Sequence, residues 1–289
     1  MNIKKLLLTI LLSVIIVAII VGITLYIKYA RITEMCNLIK NGQTEKALEQ
    51  ISQSTDVNEY TAPLWLRPFF LLFGTDIELP LVVACKEGNL KVITALVNKG
   101  ADPNKFLEGN WSPIEATFIS RAGNRLDIAE YLVESGSDVD LYGSGQSALF
   151  AELSTVMYNH DLTIAEQSQS LNCMLYLLKN GASPTDIKGN TIIHYLSCTD
   201  YIELLDVVFQ DYSNLASSQN INGQTPLMWA VNSGNIRSVQ YLIMQGVDLD
   251  VTDYSGKSAY DYAVNKGYDE IAKLLKACPE QGTVLREPG

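Results

Sequence analysis

Histidine and cysteine are scarce in this sequence, and the few that occur form no metal or redox motif. The 289 residues include 2 His and 5 Cys. The cysteines lie far apart, no C-x-x-C pair occurs, and no Cys/His group has the spacing of a zinc site. A zinc domain and a dithiol redox site are therefore excluded. Small buried core residues fit such dispersed cysteines best, and a disulfide in an oxidising compartment remains open.

Catalytic motifs are also missing. The sequence has no Gly-rich phosphate loop and no G-x-S-x-G nucleophile motif. His160 and Asp161 lie in a polar stretch, which favours solvation over catalysis. We therefore expect no enzymatic activity, no cofactor and no metal ion.

Basic residues are few outside the first part of the chain. Four of the 21 basic residues, and none of the 32 acidic ones, lie before residue 32. The remainder has 17 basic and 32 acidic residues, a net charge of −15. Nucleic-acid binding relies on neutralising phosphates, so this balance argues against it and against broad contact with anionic lipid. A basic protein partner fits better, and a merely soluble acidic surface remains the alternative.

One long apolar run stands near the start of the chain. Residues 6–27 carry no charge and lie between Lys5 and Lys28. As a helix they would span about 33 Å, enough for the hydrocarbon core of a bilayer. A cleaved signal peptide is the rival interpretation. Its apolar region is usually shorter, and here Lys28 would sit at the −3 position of the cleavage site.

We therefore predict an uncleaved transmembrane anchor over residues 6–27. The positive-inside rule gives little indication of the orientation of this anchor, because basic residues lie on both sides of it. A tail as short as residues 1–5 generally stays in the cytoplasm. The expected protein is a single-pass inner (cell) membrane protein with its N-terminus cytoplasmic. The following domain is then expected on the outer face, which in a bacterium is the periplasm.

Residues 223–250 read as one structural unit of two short helices. Gly223 allows a tight turn, and Thr225 with Pro226 begins a first helix. Gly234 ends it, and the apolar stripe of a second helix follows and ends at Gly246. Positions equivalent to Pro226 recur at 80, 113, 148, 192 and 259, with spacings of 33, 35, 44, 34 and 33 residues. A period of about 33 residues with one longer interval of 44 indicates a repeat protein with one insertion.

This unit resembles the ankyrin repeat, whose pattern runs T-P-L-H-x-A, a Gly, an apolar stripe and then G-A-D-V-N. The resemblance implies an all-α, ankyrin-repeat solenoid of about seven helix-pair repeats over residues 32–278, preceded by one transmembrane helix. Residues 34–58 match only the back half of a repeat and are expected to form an N-terminal cap. The pattern fails in an aromatic insert at 60–77 and a polar insert near 155–170, and residues 279–289 read as a flexible tail.

Ankyrin-repeat proteins typically bind other proteins through their fingertips and the concave face of their first helices. Alignment to the unit at 223–250 places these fingertip candidates: Trp111, Tyr142, Gln146, Asn190, Ile221, Gln224, Tyr254 and Lys257. The candidates on the concave face of the first helices are Lys86, Glu87, Asn232, Ser233, Asn265 and Lys266. The aromatic insert adds Trp65, Phe69, Phe70 and Phe73, either folded over neighbouring repeats, dipping into the membrane interface or contacting a partner. His194 stands at the usual His position of the repeat, where the resemblance implies hydrogen bonds to neighbouring loops.

The expected function is that of a membrane-anchored binding protein that sequesters or scaffolds another protein. One version is an immunity protein that neutralises a toxic effector, for example a basic toxin or a phospholipase. An envelope scaffold that holds a partner enzyme at the membrane is the alternative. A secreted effector directed at a host is a third possibility, and it requires cleavage of the N-terminal segment.

Overall fold

The computed structural model describes residues 3–59, 61, 78–107, 109–120, 122–159 and 161–277, with only the backbone for residues 3–11 and 18. Over these residues the regular structure is helical. Two isolated β-bridges, Thr185 to Thr191 and Thr252 to Ser258, accompany the helices without forming strands. The all-α prediction is therefore confirmed.

The described helices fall into two compact units, residues 1–138 and 139–289. The first unit contains α1 Ile3–Lys40, α2 Thr44–Gln53, α3 Pro80–Lys86, α4 Leu90–Asn98, α5 Pro113–Ile119 and α6 Arg125–Glu134. The second contains α7 Ala148–Tyr158, α8 Ile164–Lys179, α9 Ile192–Ser197, α10 Ile202–Tyr212, α11 Pro226–Asn232, α12 Ile236–Met244, α13 Ala259–Lys266 and α14 Asp269–Ala277. With the end of α1 as the first member of the cap, these helices make seven pairs, as predicted.

The six positions that define the sequence period are each the first residue of a helix. The residue before each of them has extended backbone, and in four repeats its hydroxyl caps the helix. In the sixth repeat, for example, the Thr225 hydroxyl accepts from the Met228 N–H at 3.4 Å. An oxygen at this position satisfies one of the unpaired amides of the first turn. A Ser or Thr before the first helical residue, present in five of the six repeats, therefore marks helix starts for a local physical reason.

First helices of adjacent repeats pack against each other more closely than second helices do, in each unit. The first helices therefore line the inner side of each stack. The second helices bury one apolar stripe and expose the opposite face. In α12, for example, Val239 and Leu242 are buried and Gln240 is exposed. One helix pair cannot cover this stripe alone, so stability comes from stacking neighbouring repeats.

The polar insert near 155–170 is built mainly as helix. The helices α7 and α8 have 11 and 16 residues, whereas their counterparts α11 and α12 have 7 and 9. The extra four and seven residues equal the excess of the 44-residue spacing over 33. Thr163 begins α8 with a capping box to Glu166, which explains why the helix starts inside the insert.

The helix α1 joins the apolar run to the first repeat without a break. Its side chains from Leu12 to Ile27 are exposed where described, whereas Ile32, Met35, Cys36 and Ile39 are buried against α2 and α3. Of the described helices, α1 is the one long and apolar enough to cross a membrane, a property shared by anchors and signal sequences. The helix begins at Ile3, so the predicted tail of residues 1–5 is partly helical.

The aromatic insert, including Trp65, Phe69, Phe70 and Phe73, lies outside the described residues, except for Thr61. The residues on either side of the insert are described. The Thr61 N–H donates to the Glu78 carbonyl at 3.0 Å, and the Thr33 hydroxyl of α1 donates to the Thr61 carbonyl at 3.2 Å. Two ion pairs, Lys28 with Glu59 and Lys40 with Glu78, also tie α1 to this region. The insert therefore leaves and rejoins the fold beside the end of α1.

Candidate functional site

In the second unit, the turns that precede the first helices are here called fingers. Neighbouring fingers are joined by hydrogen bonds. The Ile221 N–H donates to the Lys188 carbonyl at 2.9 Å, and the Tyr254 N–H donates to the Asn222 carbonyl at 3.1 Å. Gln219 adds a side-chain bond to the Thr252 carbonyl at 3.0 Å. Each finger is thus fixed by its neighbour, which holds the fingertip side chains at defined spacings.

Two of these fingers each contain an aspartate whose carboxylate accepts several hydrogen bonds from the same finger and its helix. Asp253 accepts from the N–H groups of Ser255 and Lys257 at 2.8 and 3.0 Å, and from the Tyr262 hydroxyl at 2.7 Å. Asp186 has the same role, accepting from Lys188 and Asn190 N–H groups and from the Tyr195 hydroxyl at 2.9 Å. The Lys257 amide, followed by the Tyr262 hydroxyl, holds the pKa of Asp253 well below its usual range. Each of these two fingers therefore holds a carboxylate in hydrogen-bond contact with a tyrosine hydroxyl.

Three aromatic side chains lie at the same position of successive first helices. Tyr195, Trp229 and Tyr262, here called the aromatic row, each stand three residues after the helix start and are half-buried. The rings of Tyr195 and Trp229 have centroids 5.6 Å apart. Gln224 connects the next pair, since it accepts from the Trp229 indole N–H at 3.2 Å and donates to the Tyr262 hydroxyl at 2.9 Å. The row is therefore continuous across three repeats.

His194 supports the aromatic row from within the stack. Its Nδ1 accepts from the Thr191 N–H at 3.0 Å, so Nε2 carries the hydrogen and donates to the Gln224 carbonyl of the next repeat at 3.0 Å. Its ring also packs edge-on against Trp229, with centroids 5.4 Å apart. Complete burial lowers the pKa of His194 to about 4, against the opposing effect of the Gln224 hydrogen bond. These contacts match the loop-bonding role that the repeat pattern predicted.

The buried His194 makes the stability of the fold depend on pH. Since its pKa lies lower in the folded than in the unfolded chain, the unfolded state binds the extra proton. Stability is then complete above about pH 6.5 and falls as the pH drops towards 4. We expect the free energy of unfolding to fall by about 2 kcal/mol more in the natural protein than in His194→Gln between pH 7 and 4.5. Urea unfolding at a series of pH values measures this, and parallel pH curves for the two proteins would refute the assignment.

The predicted fingertip residues differ in accessibility. Ile221 and Tyr254 are 61% and 75% exposed, and Lys257 is exposed. Four others are half-buried, namely Trp111, Tyr142, Gln146 and Gln224. Asn190 is buried, because its amide donates to Asp186 at 2.8 Å and its oxygen accepts from Asn220 at 2.8 Å. Asn190 therefore braces a finger rather than presenting a surface.

The predicted residues at the ends of first helices are all exposed, in two separate places. Lys86 and Glu87 belong to the first unit, and Asn232, Ser233, Asn265 and Lys266 belong to the second. In the first unit, the Lys86 ammonium lies 4.9 Å from the centre of the Trp111 ring, so two predicted residues meet there. In the second unit these residues lie beyond the aromatic row on the same helices.

The sequence prediction missed the aromatic row itself. Tyr195, Trp229 and Tyr262 occupy the variable position x of T-P-L-H-x-A in the last three repeats. The equivalent positions of the earlier repeats hold Val83, Ala116 and Ala151. The recurrence of aromatic residues at spacings of 34 and 33 was the available signal.

A groove lies on the second-helix side of the second unit, away from the aromatic row. It has a volume of about 540 Å³ and lies between the start of α8 and α10. Leu162, Ile164, Leu171, Leu204 and Val207 supply its apolar lining, and Arg237 is among its polar lining residues. In the described part of the chain, no three His, Cys, Asp or Glu side chains are placed to hold a metal ion.

Comparison with known proteins identifies the repeats. A family model for ankyrin repeats in three copies matches residues 202–283, and a model for a single ankyrin repeat matches residues 78–106. The chain is 28% identical over 233 residues to the phosphocholine transferase AnkX of Legionella pneumophila, covering 72% of this chain and 23% of AnkX. It is 25% identical over 262 residues to the ankyrin repeat protein nuc-2 of Neurospora crassa, covering 84% and 23%. The chain thus spans about a quarter of the length of these relatives.

Two solved structures have a similar fold. The human ASB11 ankyrin repeat domain matches with a TM-score of 0.64 and 18% identity, over 85% of this chain and 99% of that one. A chain in the complex of the Bdellovibrio bacteriovorus predatory endopeptidase Bd0816 with immunity protein Bd3460 matches with a TM-score of 0.56 and 22% identity, over 68% and 96%. Together with the helix pairs and their period, these matches establish that the chain contains ankyrin repeats and has the ankyrin-repeat fold, a scaffold for binding proteins.

Proposed function

We propose that this protein is a membrane-anchored ankyrin-repeat protein, without enzymatic activity, that binds another protein through the first helices and fingertips of its second unit. The observation that carries the proposal is the aromatic row, which places partly exposed Tyr195, Trp229 and Tyr262 on successive first helices. Tyrosine and tryptophan are enriched among residues that dominate binding energy at protein interfaces. The linked fingers add exposed Ile221 and Tyr254 beside this row.

The continuity of α1 supports an anchor rather than a cleaved signal peptide. A signal peptide ends in a short cleavage region with small residues. Here the apolar run continues as helix into buried Ile32 and Met35, and Lys28 is already paired with Glu59 at 2.7 Å. Removal of the segment would cut within a helix that belongs to the first repeat.

We expect the N-terminus in the cytoplasm and the repeats in the periplasm of a bacterium. Alkaline phosphatase fused to the C-terminus should then be active, and β-galactosidase fused at the same site should be inactive. The reason is that each reporter folds to an active enzyme in only one of the two compartments. Fusions directly after Lys40 serve as the matched control, because they carry the same segment without the later repeats. The reverse pattern of activities would contradict the topology.

An immunity protein is the more specific form of this function. The acidic charge of residues 139–277, with 15 acidic and 7 basic residues, suits a basic toxin. The fold similarity to a chain of an endopeptidase–immunity protein complex is compatible with this role, although it supports the fold alone. Blocking a toxin requires a large fixed surface and no catalysis, which a stack of repeats provides.

Photo-crosslinking in cells tests the binding surface. A photoreactive amino acid replaces Trp229 in the aromatic row, Tyr254 at a fingertip or Ile164 at the groove, one at a time. Trp229 and Tyr254 should give the same protein adduct, and exposed Ile164 should give none, because it lies on the second-helix side. Adducts from Ile164 alone would refute the proposed surface.

The identity of the crosslinked protein then separates the possible roles. A toxin encoded beside this protein, together with loss of protection in the Trp229→Leu variant, supports immunity. A housekeeping enzyme or an envelope component supports a scaffold instead.

A further inference from the structure

The polar edges of the aromatic row are already occupied by groups of this chain. The Tyr195 and Tyr262 hydroxyls donate to Asp186 and Asp253, and the Trp229 indole N–H donates to Gln224. A partner therefore meets mainly aromatic carbon. A phenol that donates to a carboxylate has a more electron-rich ring, which strengthens its attraction for a cation.

The carboxylates behind the row accept hydrogen bonds from neutral groups. The contacts of Asp253 are amide and hydroxyl groups, and those of Asp186 are amides, a side-chain amide and a hydroxyl. None of these donors carries a positive charge. Hydrogen bonds from neutral donors stabilise a carboxylate without cancelling its charge at longer range. The two carboxylates therefore lie against the tyrosines of the row, whereas the cations of the same two fingers, Lys188 and Lys257, are exposed to solvent.

The charge of the whole second unit has the same sign. Residues 139–277 contain 15 acidic and 7 basic residues. Negative potential over a partly apolar, aromatic surface favours a partner that presents cations and disfavours an acidic one. Charge complementarity therefore selects one class of partner.

From these observations we infer that the aromatic row is a recognition site for arginine and lysine side chains, presented by a basic segment of the partner lying along α9, α11 and α13. The inference deepens the proposed function, on which it rests, by naming the chemistry of the partner. Cations stack on the rings of Trp229 and Tyr195 while the charges of Asp186 and Asp253 attract them. The chain makes the same kind of contact within itself, since the Lys276 ammonium lies 4.7 Å from the centre of the Tyr260 ring.

A defined peptide tests the inference on the full-length protein. The protein is placed in nanodiscs of neutral phosphatidylcholine, so that the lipid does not attract a basic probe. Fluorescence anisotropy then follows binding of a labelled peptide that alternates arginine and glycine. The matched probe carries citrulline at every arginine, which keeps the shape and removes the charge. We expect the citrulline peptide to bind at least about tenfold more weakly.

Variants of Trp229 separate the aromatic ring from plain apolar contact. Trp229→Phe keeps an aromatic face and should change the affinity by less than about threefold, whereas Trp229→Leu should weaken binding about tenfold. Met244→Ala, at an exposed site on the second-helix side, should bind as the natural protein does. Thermal unfolding of each variant shows whether it is folded. Both the Phe and the Leu variant lose the hydrogen bond of the indole N–H, so a difference between them reports on the aromatic ring alone.

Three results would overturn the inference: no binding of the arginine peptide at millimolar concentration, equal binding of the citrulline peptide, or equal binding by the Phe and Leu variants. The two levels of proposal fail separately. Crosslinks from Trp229 in cells without arginine-peptide binding would leave the proposed function standing and remove the cation site. Peptide binding without any crosslinked protein would support the cation site and remove the support for protein binding in cells.

Discussion

Replacing Gly223 by alanine should lower the free energy of unfolding by roughly 3 kcal/mol. Gly223 has φ of +76°, where an L-residue is strained by about 1–2 kcal/mol. An added Cβ would also lie 2.7 Å from the backbone nitrogen of Tyr254 in the next finger. That atom cannot move aside alone, because its N–H donates to the Asn222 carbonyl at 3.1 Å. Overpacking of this kind typically costs a further 1–3 kcal/mol.

Gly256 provides the matched control for this experiment. It is the equivalent turn residue of the last repeat, has φ of +79°, and would place a Cβ with nothing within 4 Å. Gly256→Ala should therefore cost only the backbone strain, about 1–2 kcal/mol. Chemical unfolding of both variants gives the difference. Equal losses would mean that the finger contact contributes nothing and that turn geometry alone accounts for the shape of the fingers.

Replacing Met35 by alanine should destabilise the first unit by about 2–5 kcal/mol, the usual cost of emptying a fully buried large side chain. Met35 is 0% exposed and lies on α1 among residues that pack against α2 and α3. The variant should also become sensitive to protease between α1 and α2, because the end of α1 is held by this packing. Unfolding of the full-length protein in detergent, followed by limited proteolysis, measures both effects.

Asn37→Ala is the control for Met35→Ala, since Asn37 is exposed on the same helix two residues away. It should change the free energy of unfolding by no more than about 0.5 kcal/mol, as surface substitutions usually do. If Met35→Ala were equally mild, the end of α1 would be a linker to the membrane rather than part of the first repeat.

The repeat architecture was predictable because its signals are local. Thr225 and Pro226 cap and start a helix through contacts within four residues, and Gly234 ends it through its own backbone freedom. The equivalent positions of the other repeats are also helix starts, although Leu79 has no capping oxygen. The insert near 155–170 was located but its form was not, because Thr163 and Glu166 were not interpreted as a capping box.

The candidate site was predictable only in part. Exposed Ile221 and Tyr254 follow from turn position alone, so their placement at fingertips agrees with the repeat register. Asn190 occupies an equivalent turn position, yet its amide is buried between Asp186 and Asn220. Which turn residue faces solvent and which braces the neighbouring finger depends on contacts between repeats, which spacing along the chain does not encode.

The sequence by itself determined the helix-pair repeat, its period and the long apolar run before it, because capping, turn chemistry and apolar periodicity act over a few residues. Only the tertiary structure decided that α1 continues into the first repeat, and that Tyr195, Trp229 and Tyr262 form one surface. Residues about 33 positions apart become neighbours only when repeats stack. The hydrogen bonds of Gln224, which join Trp229 to Tyr262, exist only in that stack.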